Sequence, residues 1–184
     1  TMVHRATLHN ADILASLDLH IGDRVLVEKG GEIIPKIVGK DDNFAHTNGT
    51  GSPIQFIQRC PVCGTALIRG EEEASHYCPN DLHCTPQIIG RLEHFVSRKA
   101  MNINLVGPEL IQQYHRQGLL NNIADFYSIT HDKKIDDSIA QSTQVPFERV
   151  LFALGIRFVG EIAAKTLARK FKSIDNIMSA TAEE

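Results

Sequence analysis

The hydrophobic positions of this chain follow two different periods, and the change between them falls near residue 85. Before it, strand-forming residues alternate over Arg24–Lys29, and Glu32–Val38 supplies a second run. Gly30-Gly31 lies between these runs and is a tight hairpin signal. A short helix over Ala11–Leu17 is predicted before them, because Asn10 can cap it and its apolar residues share a face. The pattern up to residue 85 therefore predicts a small β-rich region.

After residue 85, apolar residues recur at helical spacing and predict five helices. Proline precedes or begins three of them, at Pro86, Pro108 and Pro146. The apolar faces of the first four comprise Ile88, Ile89, Leu92, Phe95 and Val96; Leu110, Ile111 and Tyr114; Phe147, Val150, Leu151 and Leu154; and Ile162, Ala163, Leu167 and Phe171. The fifth helix begins over Ile174–Ala180. Because β-type and helical segments are separated along the chain, the predicted fold class is α+β with more than one domain.

The β-rich part has too few strands to close a barrel. Lys40–Pro53 is polar and is predicted to be an exposed loop, and Ile54–Ile57 is predicted to return as a further strand. With three or four strands in all, either the sheet is small and open, or the first strands of a barrel lie outside this chain.

Composition is that of an ordinary soluble protein, with 42% apolar residues and a net charge of −3 over 184 residues. The longest apolar stretch, Val150–Leu154, is too short to cross a membrane, and the first ten residues do not resemble a signal peptide, so we expect a cytoplasmic protein. No Gly-x-x-x-x-Gly-Lys loop or Gly-x-Ser-x-Gly elbow occurs. A nucleic-acid partner would have to be bound largely by backbone amides, because the chain has no positive excess.

Four cysteines lie close together in the sequence, with the spacing C-x2-C, fourteen residues, C-x5-C: Cys60, Cys63, Cys78 and Cys84. Four thiolates complete a tetrahedral zinc site and leave no position open for water, so the spacing predicts a structural zinc. Disulfides, unligated core cysteines, and replacement of one cysteine by His76 or His83 remain alternatives.

A second pattern, Leu154–Leu167, is typical of a helix–hairpin–helix motif. A helix ends at Gly155, a short hydrophobic hairpin follows, and Gly160 opens the next helix. Such a turn points the amides at and after Gly160 toward a phosphate, assisted by the helix dipole. An αα-hairpin with ordinary glycine caps fits the same spacing. The segment Asn104–Glu109, with Gly107, is a weaker candidate because it has one glycine.

Several segments together resemble the NAD-dependent bacterial DNA ligases. Arg5–Asn10, Ile21–Val25 and Gly31–Pro35 resemble the later part of their OB domain, and the cysteine spacing is similar to their zinc finger. Phe95–Met101 and Ala153–Glu161 resemble their helix–hairpin–helix region. The resemblance is collinear over essentially the whole chain. It implies a partial OB-fold β-barrel over residues 1–58, a four-cysteine zinc finger over 59–85, and a truncated α-helical helix–hairpin–helix domain over 86–184.

By this resemblance, the parent enzyme seals nicks in duplex DNA through enzyme-AMP and DNA-adenylate intermediates. The Lys-x-Asp-Gly motif of its nucleophile is absent here, so we expect the segment to provide DNA grip and inter-domain architecture, with NAD⁺ and Mg²⁺ bound elsewhere in the parent. The expected partner is nicked duplex, bound without sequence preference by a monomer in the bacterial cytoplasm. The resemblance and the hairpin pattern suggest as DNA-binding residues Arg5, Arg24, Lys29, Gly107, Gly155, Arg157, Gly160, Glu161 and Lys165.

Two departures from the family pattern affect the helical region. Leu105 stands where the first hairpin usually has a glycine, which puts that phosphate contact in question. The stretch from Thr130 to Val145 is shorter than usual and lacks a hairpin, either through a true deletion or, as we favour, because the sequence skips residues near Lys134. The alternative from another functional class is a non-catalytic zinc-ribbon adaptor that binds protein partners.

Overall fold

The computed structural model describes residues 2–29, 34–41, 43, 49–129 and 132–181. The chain divides into two compact units, Thr1–Asn80 and Asp81–Glu184. Each unit is described by itself below. No helix of the described ranges combines the length and the apolar character needed to span a membrane.

The first unit contains the predicted helix α1 (Ala11–Leu17). Asn10 caps it, because its side-chain oxygen accepts a hydrogen bond from the Ile13 amide at 3.0 Å. Leu14 is the buried residue of the helix, and Leu19 is buried just beyond it. The prediction of this helix and of its cap is confirmed.

Two strands form the sheet of the first unit, β1 (Val25–Glu28) and β2 (Lys36–Lys40). They pair antiparallel with a bulge between Leu26 and Val27, and Glu28 lies opposite Lys36, with which it forms a 3.1 Å ion pair. Among the described residues the sheet has these two strands only, so the predicted barrel is not shown. The Gly30-Gly31 turn lies outside the described residues.

The predicted strand at Ile54–Ile57 is wrong. The segment belongs to no strand. Pro53, directly before it, forms an isolated bridge with His20, and the Ile54 amide donates to the Leu19 carbonyl at 2.8 Å. Glycine at position 51 allows the backbone there to lie close to Ile21, because a β-carbon on residue 51 would be 1.9 Å from the Ile21 carbonyl oxygen.

The second unit is helical. Its elements in chain order are α2 (Thr85–Val96), α3 (Pro108–Arg116), a 3₁₀ helix (Ile123–Tyr127), α4 (Lys133–Ser142), α5 (Phe147–Ala153), α6 (Glu161–Phe171) and α7 (Ile174–Ser179). The five predicted helices are present as α2, α3, α5, α6 and α7. The buried faces of α2, α3 and α5 meet in one core, in which the Phe95 and Phe126 rings stack with centroids 5.9 Å apart. The helix α6 buries Ala164 outside this core, and α7 has no buried residue.

The helix α4 was not predicted. It occupies the segment that resemblance marked as shortened, and Ile135 and Ile139 place one apolar face in the core at the i, i+4 spacing. Asp132 caps it by accepting a hydrogen bond from the Lys134 amide at 3.0 Å. The suggested gap near Lys134 stays a prediction, and its neighbours Thr130 and His131 lie outside the described residues.

Candidate metal centre and nucleic-acid interface

The first pair of cysteines lies in a tight turn. The Gly64 amide donates to the Cys60 carbonyl at 2.9 Å, and the Cys60 amide donates to the Thr65 carbonyl at 2.8 Å. Gly64 has φ +71°, in the left-handed region, where a side chain would add strain. The turn therefore needs its glycine in order to direct both sulfur atoms to one point.

A short hairpin positions the third cysteine. Ile68 and Tyr77 exchange two backbone hydrogen bonds of 2.9 Å, and Cys78 follows directly. Cys84 is the N-cap residue of α2, and its carbonyl accepts from the Gln87 and Ile88 amides. The structure thus brings together the four predicted ligands, with all four sulfur atoms within 4.8 Å of one another.

This arrangement fits a tetrahedral zinc ion. Zinc–sulfur bonds of about 2.3 Å place the sulfur atoms of a tetrahedron about 3.8 Å apart, and the Sγ atoms of Cys63 and Cys78 are 3.5 Å apart. None of these four cysteines forms a disulfide. Among the described residues the cluster contains neither candidate histidine; the ring of His76 instead packs against Phe56, with centroids 4.7 Å apart.

The pKa values of two of these cysteines, Cys63 and Cys78, are shifted in opposite directions. Hydrogen bonding to the Thr65 hydroxyl, 3.3 Å away, and to the Thr65 amide lowers the pKa of Cys63 to about 6. Burial raises the pKa of Cys78 to about 12, and its neighbours Cys63 and Cys60 add to the rise. Without a metal ion, the cluster favours a thiolate at Cys63 beside a thiol at Cys78, because adjacent thiolates repel one another.

The second candidate site is the connection between α5 and α6. Gly155 ends α5 with φ +65°, Phe158 has φ +67°, and Gly160 is the extended N-cap of α6. The Ala164 amide donates to the Gly160 carbonyl at 2.9 Å and begins the helix. The amides from Gly160 onward in the first turn therefore have no partner within the helix. This geometry is that of a helix–hairpin–helix turn.

The connection before α3 repeats this geometry, although its sequence pattern predicted it only weakly. Asn102 and Leu105 have φ +55° and +69°, and Gly107 is the extended N-cap of α3. These positions match Gly155, Phe158 and Gly160 one for one. The sequences Asn-Ile-Asn-Leu-Val-Gly and Gly-Ile-Arg-Phe-Val-Gly share Ile, Val and Gly at equal spacing, and this repeat was the available signal. Leu105 therefore adopts the left-handed backbone despite not being glycine.

Comparison with known proteins agrees with both sites. Residues 1–48 match the model of the NAD-dependent DNA ligase OB-fold domain, residues 59–85 match the NAD-dependent DNA ligase C4 zinc finger domain, and residues 149–184 match the helix-hairpin-helix motif. Proteins named DNA ligase from Bacteroides fragilis and Phocaeicola vulgatus are 53% identical over 100% and 98% of this chain, and one from Cytophaga hutchinsonii is 49% identical over 100%.

The chain belongs to the NAD-dependent DNA ligase family. It spans 29% of the length of each of these relatives. The matches do not favour the zinc-ribbon adaptor alternative, because the zinc segment matches as part of a ligase and not as a separate module.

Charged side chains lie on both sides of the α5–α6 hairpin. Arg157 and Lys165 are exposed, and the Arg157 guanidinium lies over the Phe158 ring, 4.8 Å from its centroid. Glu161 forms a 2.6 Å ion pair with Lys99. A carboxylate repels a phosphate, so any contact of Glu161 with DNA would be through its amide.

One residue outside the sequence-predicted set also supports this hairpin. The Arg149 guanidinium on α5 donates to the carbonyl groups of Arg98 and Lys99, and thereby ties α5 to the turn after α2. Nothing in the sequence around Arg149 distinguishes it from a surface arginine.

The remaining candidate contacts lie in the first unit. Arg5, Arg24 and Lys29 are exposed; Arg24 directly precedes β1 and Lys29 directly follows it. The structure therefore leaves them accessible. Their role in DNA binding stays a prediction.

Proposed function

We propose that this chain is a DNA-gripping segment of an enzyme that seals nicks in duplex DNA through enzyme-AMP and DNA-adenylate intermediates. In this proposal the two hairpins hold duplex phosphates without sequence preference, and NAD⁺ and Mg²⁺ act elsewhere in the parent enzyme. The observation on which the proposal depends is the presence of glycine at two positions where the fold does not require it.

Gly160 and Gly107 are these two glycines. Their φ angles are −79° and −99°, which any residue adopts, and a β-carbon at either position would meet nothing within 4 Å. Gly155 differs, because its φ of +65° favours glycine and a β-carbon there would contact His94 at 3.6 Å. Glycine at 107 and 160 is explained by the close approach of a partner to the backbone.

A phosphate is the partner that suits these positions. The amides at the start of α3 and of α6 have no partner within their helices, and the helix dipole favours an anion there. Contacts of this kind fix register on the backbone and give no base preference. They also allow a chain with a net charge of −3 to bind DNA.

Cys60, Cys63, Cys78 and Cys84 would hold one structural zinc ion in this proposal. The distances among their sulfur atoms, at most 4.8 Å, support it, as does the match to a C4 zinc finger. With four thiolates bound, the ion has no free position for substrate, so its contribution is to the stability of the segment.

The test replaces Gly160 with alanine in the zinc-loaded chain and measures the affinity for nicked and intact duplex by fluorescence anisotropy. We expect unchanged zinc content and only a small fall in melting temperature, because alanine is a poorer N-cap than glycine. The affinity should be at least severalfold weaker, because the new methyl group blocks the approach of the phosphate. Gly107→Ala should behave alike. Gly90→Ala is the matched control: it places the same methyl group on an exposed position of α2, with nothing within 4 Å. Unchanged duplex affinity in Gly160→Ala would contradict the proposal.

A further inference from the structure

Two exposed apolar side chains occupy equivalent positions in the two hairpins. Leu105 is 65% exposed and Phe158 is 81% exposed. Each lies two residues before the glycine N-cap of a helix, α3 or α6, and each has a left-handed backbone. The same combination of an exposed apolar side chain and an unfavourable φ thus occurs twice.

The fold of the described residues gives no reason for either side chain. A large side chain in the left-handed region is disfavoured relative to glycine, and water disfavours its exposed apolar surface. The family resemblance expects glycine at the position of Leu105, so the backbone there tolerates the smaller residue. An apolar contact with a bound partner would offset both costs.

The surroundings of Phe158 favour an anionic partner. The Arg157 guanidinium lies over its ring at 4.8 Å, and exposed Lys165 follows on α6. Two residues further along the chain, Gly160 begins the amides that we assign to a phosphate. In DNA each phosphate is joined to deoxyribose, whose C–H groups are the nearest apolar surface to that phosphate.

We propose that Leu105 and Phe158 are DNA-contacting residues that pack on deoxyribose beside the phosphates held by the two hairpins. The inference depends on the proposed function, because the deoxyribose lies beside these side chains only if the hairpin amides hold the phosphate that is joined to it. It adds an apolar contribution to affinity that is separate from charge. This contribution compensates for the lack of a positive net charge on the chain.

Apolar and ionic contributions differ in salt dependence, which makes the inference testable. Loss of a lysine–phosphate contact reduces the slope of log affinity against log salt by about 0.9. A contact with deoxyribose releases no counterions when it forms. Its loss should therefore lower affinity by the same factor at every salt concentration.

The experiment compares Phe158→Asn and Phe158→Leu in the zinc-loaded chain, with intact duplex over a salt series. Asparagine tolerates the left-handed backbone but removes the apolar surface, whereas leucine retains it, as in the other hairpin. We expect Phe158→Asn to bind about tenfold more weakly at each salt concentration, with an unchanged slope. Phe158→Leu should stay within about threefold of the unsubstituted chain, since it keeps most of the buried apolar area. Leu105→Asn should act in the same direction.

Equal affinity of Phe158→Asn and the unsubstituted chain, while Gly160→Ala is weakened, would overturn the inference and leave the proposed function standing. A reduced salt slope in Phe158→Asn would also overturn it, because the lost contact would then be ionic. If the unsubstituted chain binds no duplex, the inference and the proposed function both fail. Melting temperature and zinc content of each variant, measured in parallel, identify any loss of affinity that is due to unfolding.

Discussion

Cys63 and Cys78 have pKa values shifted in opposite directions, although their sulfur atoms are only 3.5 Å apart. In the absence of metal, Thr65 favours the thiolate of Cys63, while burial keeps Cys78 protonated. A divalent cation removes this conflict, because it stabilises all four thiolates and releases the remaining protons. The stability of this segment should therefore depend on zinc.

Cys78→Ser should lose the zinc ion and unfold the segment around it. A neutral hydroxyl is a poor zinc ligand, and zinc binding in small finger peptides is worth on the order of 10 kcal/mol. Zinc per chain, measured by a colorimetric chelator after dialysis, should fall from one to near zero, with loss of ligation activity in the intact parent enzyme. Ser75→Ala, on the same arm of the hairpin, is the control and should retain zinc. One tightly bound zinc in Cys78→Ser would argue against a four-cysteine site.

At the level of single residues, the cysteines could be predicted from sequence and Leu105 could not. Cysteine spacing restricts which sulfur atoms can meet, so C-x2-C and C-x5-C pairs are informative without a fold. Left-handed backbone is normally inferred from glycine, and Leu105 and Phe158 adopt it without that signal. The sequence therefore indicates the connection before α3 less clearly than the α5–α6 hairpin, although the two backbones have the same conformation.

Among the elements, the helices with strong apolar periodicity were predicted, whereas α4 was missed and the strand predicted at Ile54–Ile57 was wrong. The helix α4 contains many polar residues, and its face depends on Ile135 and Ile139 packing into a core formed by other helices. The segment Ile54–Ile57 has strand-forming residues but finds no sheet edge among the described residues. In both cases, long-range packing decides the structure, and local sequence does not contain it.

The turn before β1 depends on Asp23, whose side chain is 2% exposed. Its carboxylate accepts hydrogen bonds from the Gly49 amide at 2.7 Å and the His20 amide at 2.8 Å. These bonds, together with Lys40, hold the pKa of Asp23 below its usual value. The folded pKa is thus the lower one. Its contribution to stability is present above the unfolded pKa of about 3.9 and is lost as pH falls through the folded pKa.

Asp23→Asn should therefore lower the free energy of unfolding at neutral pH, and the difference from the unsubstituted chain should shrink as pH falls below about 4. Urea unfolding of both proteins from pH 7 to pH 3 measures this difference. Acid also releases zinc, but it does so in both proteins, so the difference isolates Asp23. A difference that is constant over this range would show that the charge of Asp23 does not stabilise the turn.

For the whole molecule, the net charge of −3 means that DNA binding must depend on where cations lie and not on their number. Two candidate cations, Arg157 and Lys165, are in the second unit, and three, Arg5, Arg24 and Lys29, are in the first. The number of counterions released on binding should therefore indicate whether cations of one unit or of both units contact DNA. Phosphate contacts by cations release counterions, whereas contacts by amides add little to that release.

The slope of log affinity against log salt for duplex binding distinguishes contact by one unit from contact by both. If all five side chains contact phosphates, log affinity should fall with log salt with a slope of about −4.5, and with about −1.8 if only Arg157 and Lys165 do. The triple variant Arg5→Ala, Arg24→Ala, Lys29→Ala should then change the steeper slope to the shallower one, measured by anisotropy between low and physiological salt. Lys133→Ala/Lys134→Ala, on α4, is a control that also removes positive charge but should leave the slope unchanged. An unchanged slope in the triple variant would confine phosphate contacts to the helical unit. Binding without any salt dependence would contradict phosphate contacts by any of these five side chains.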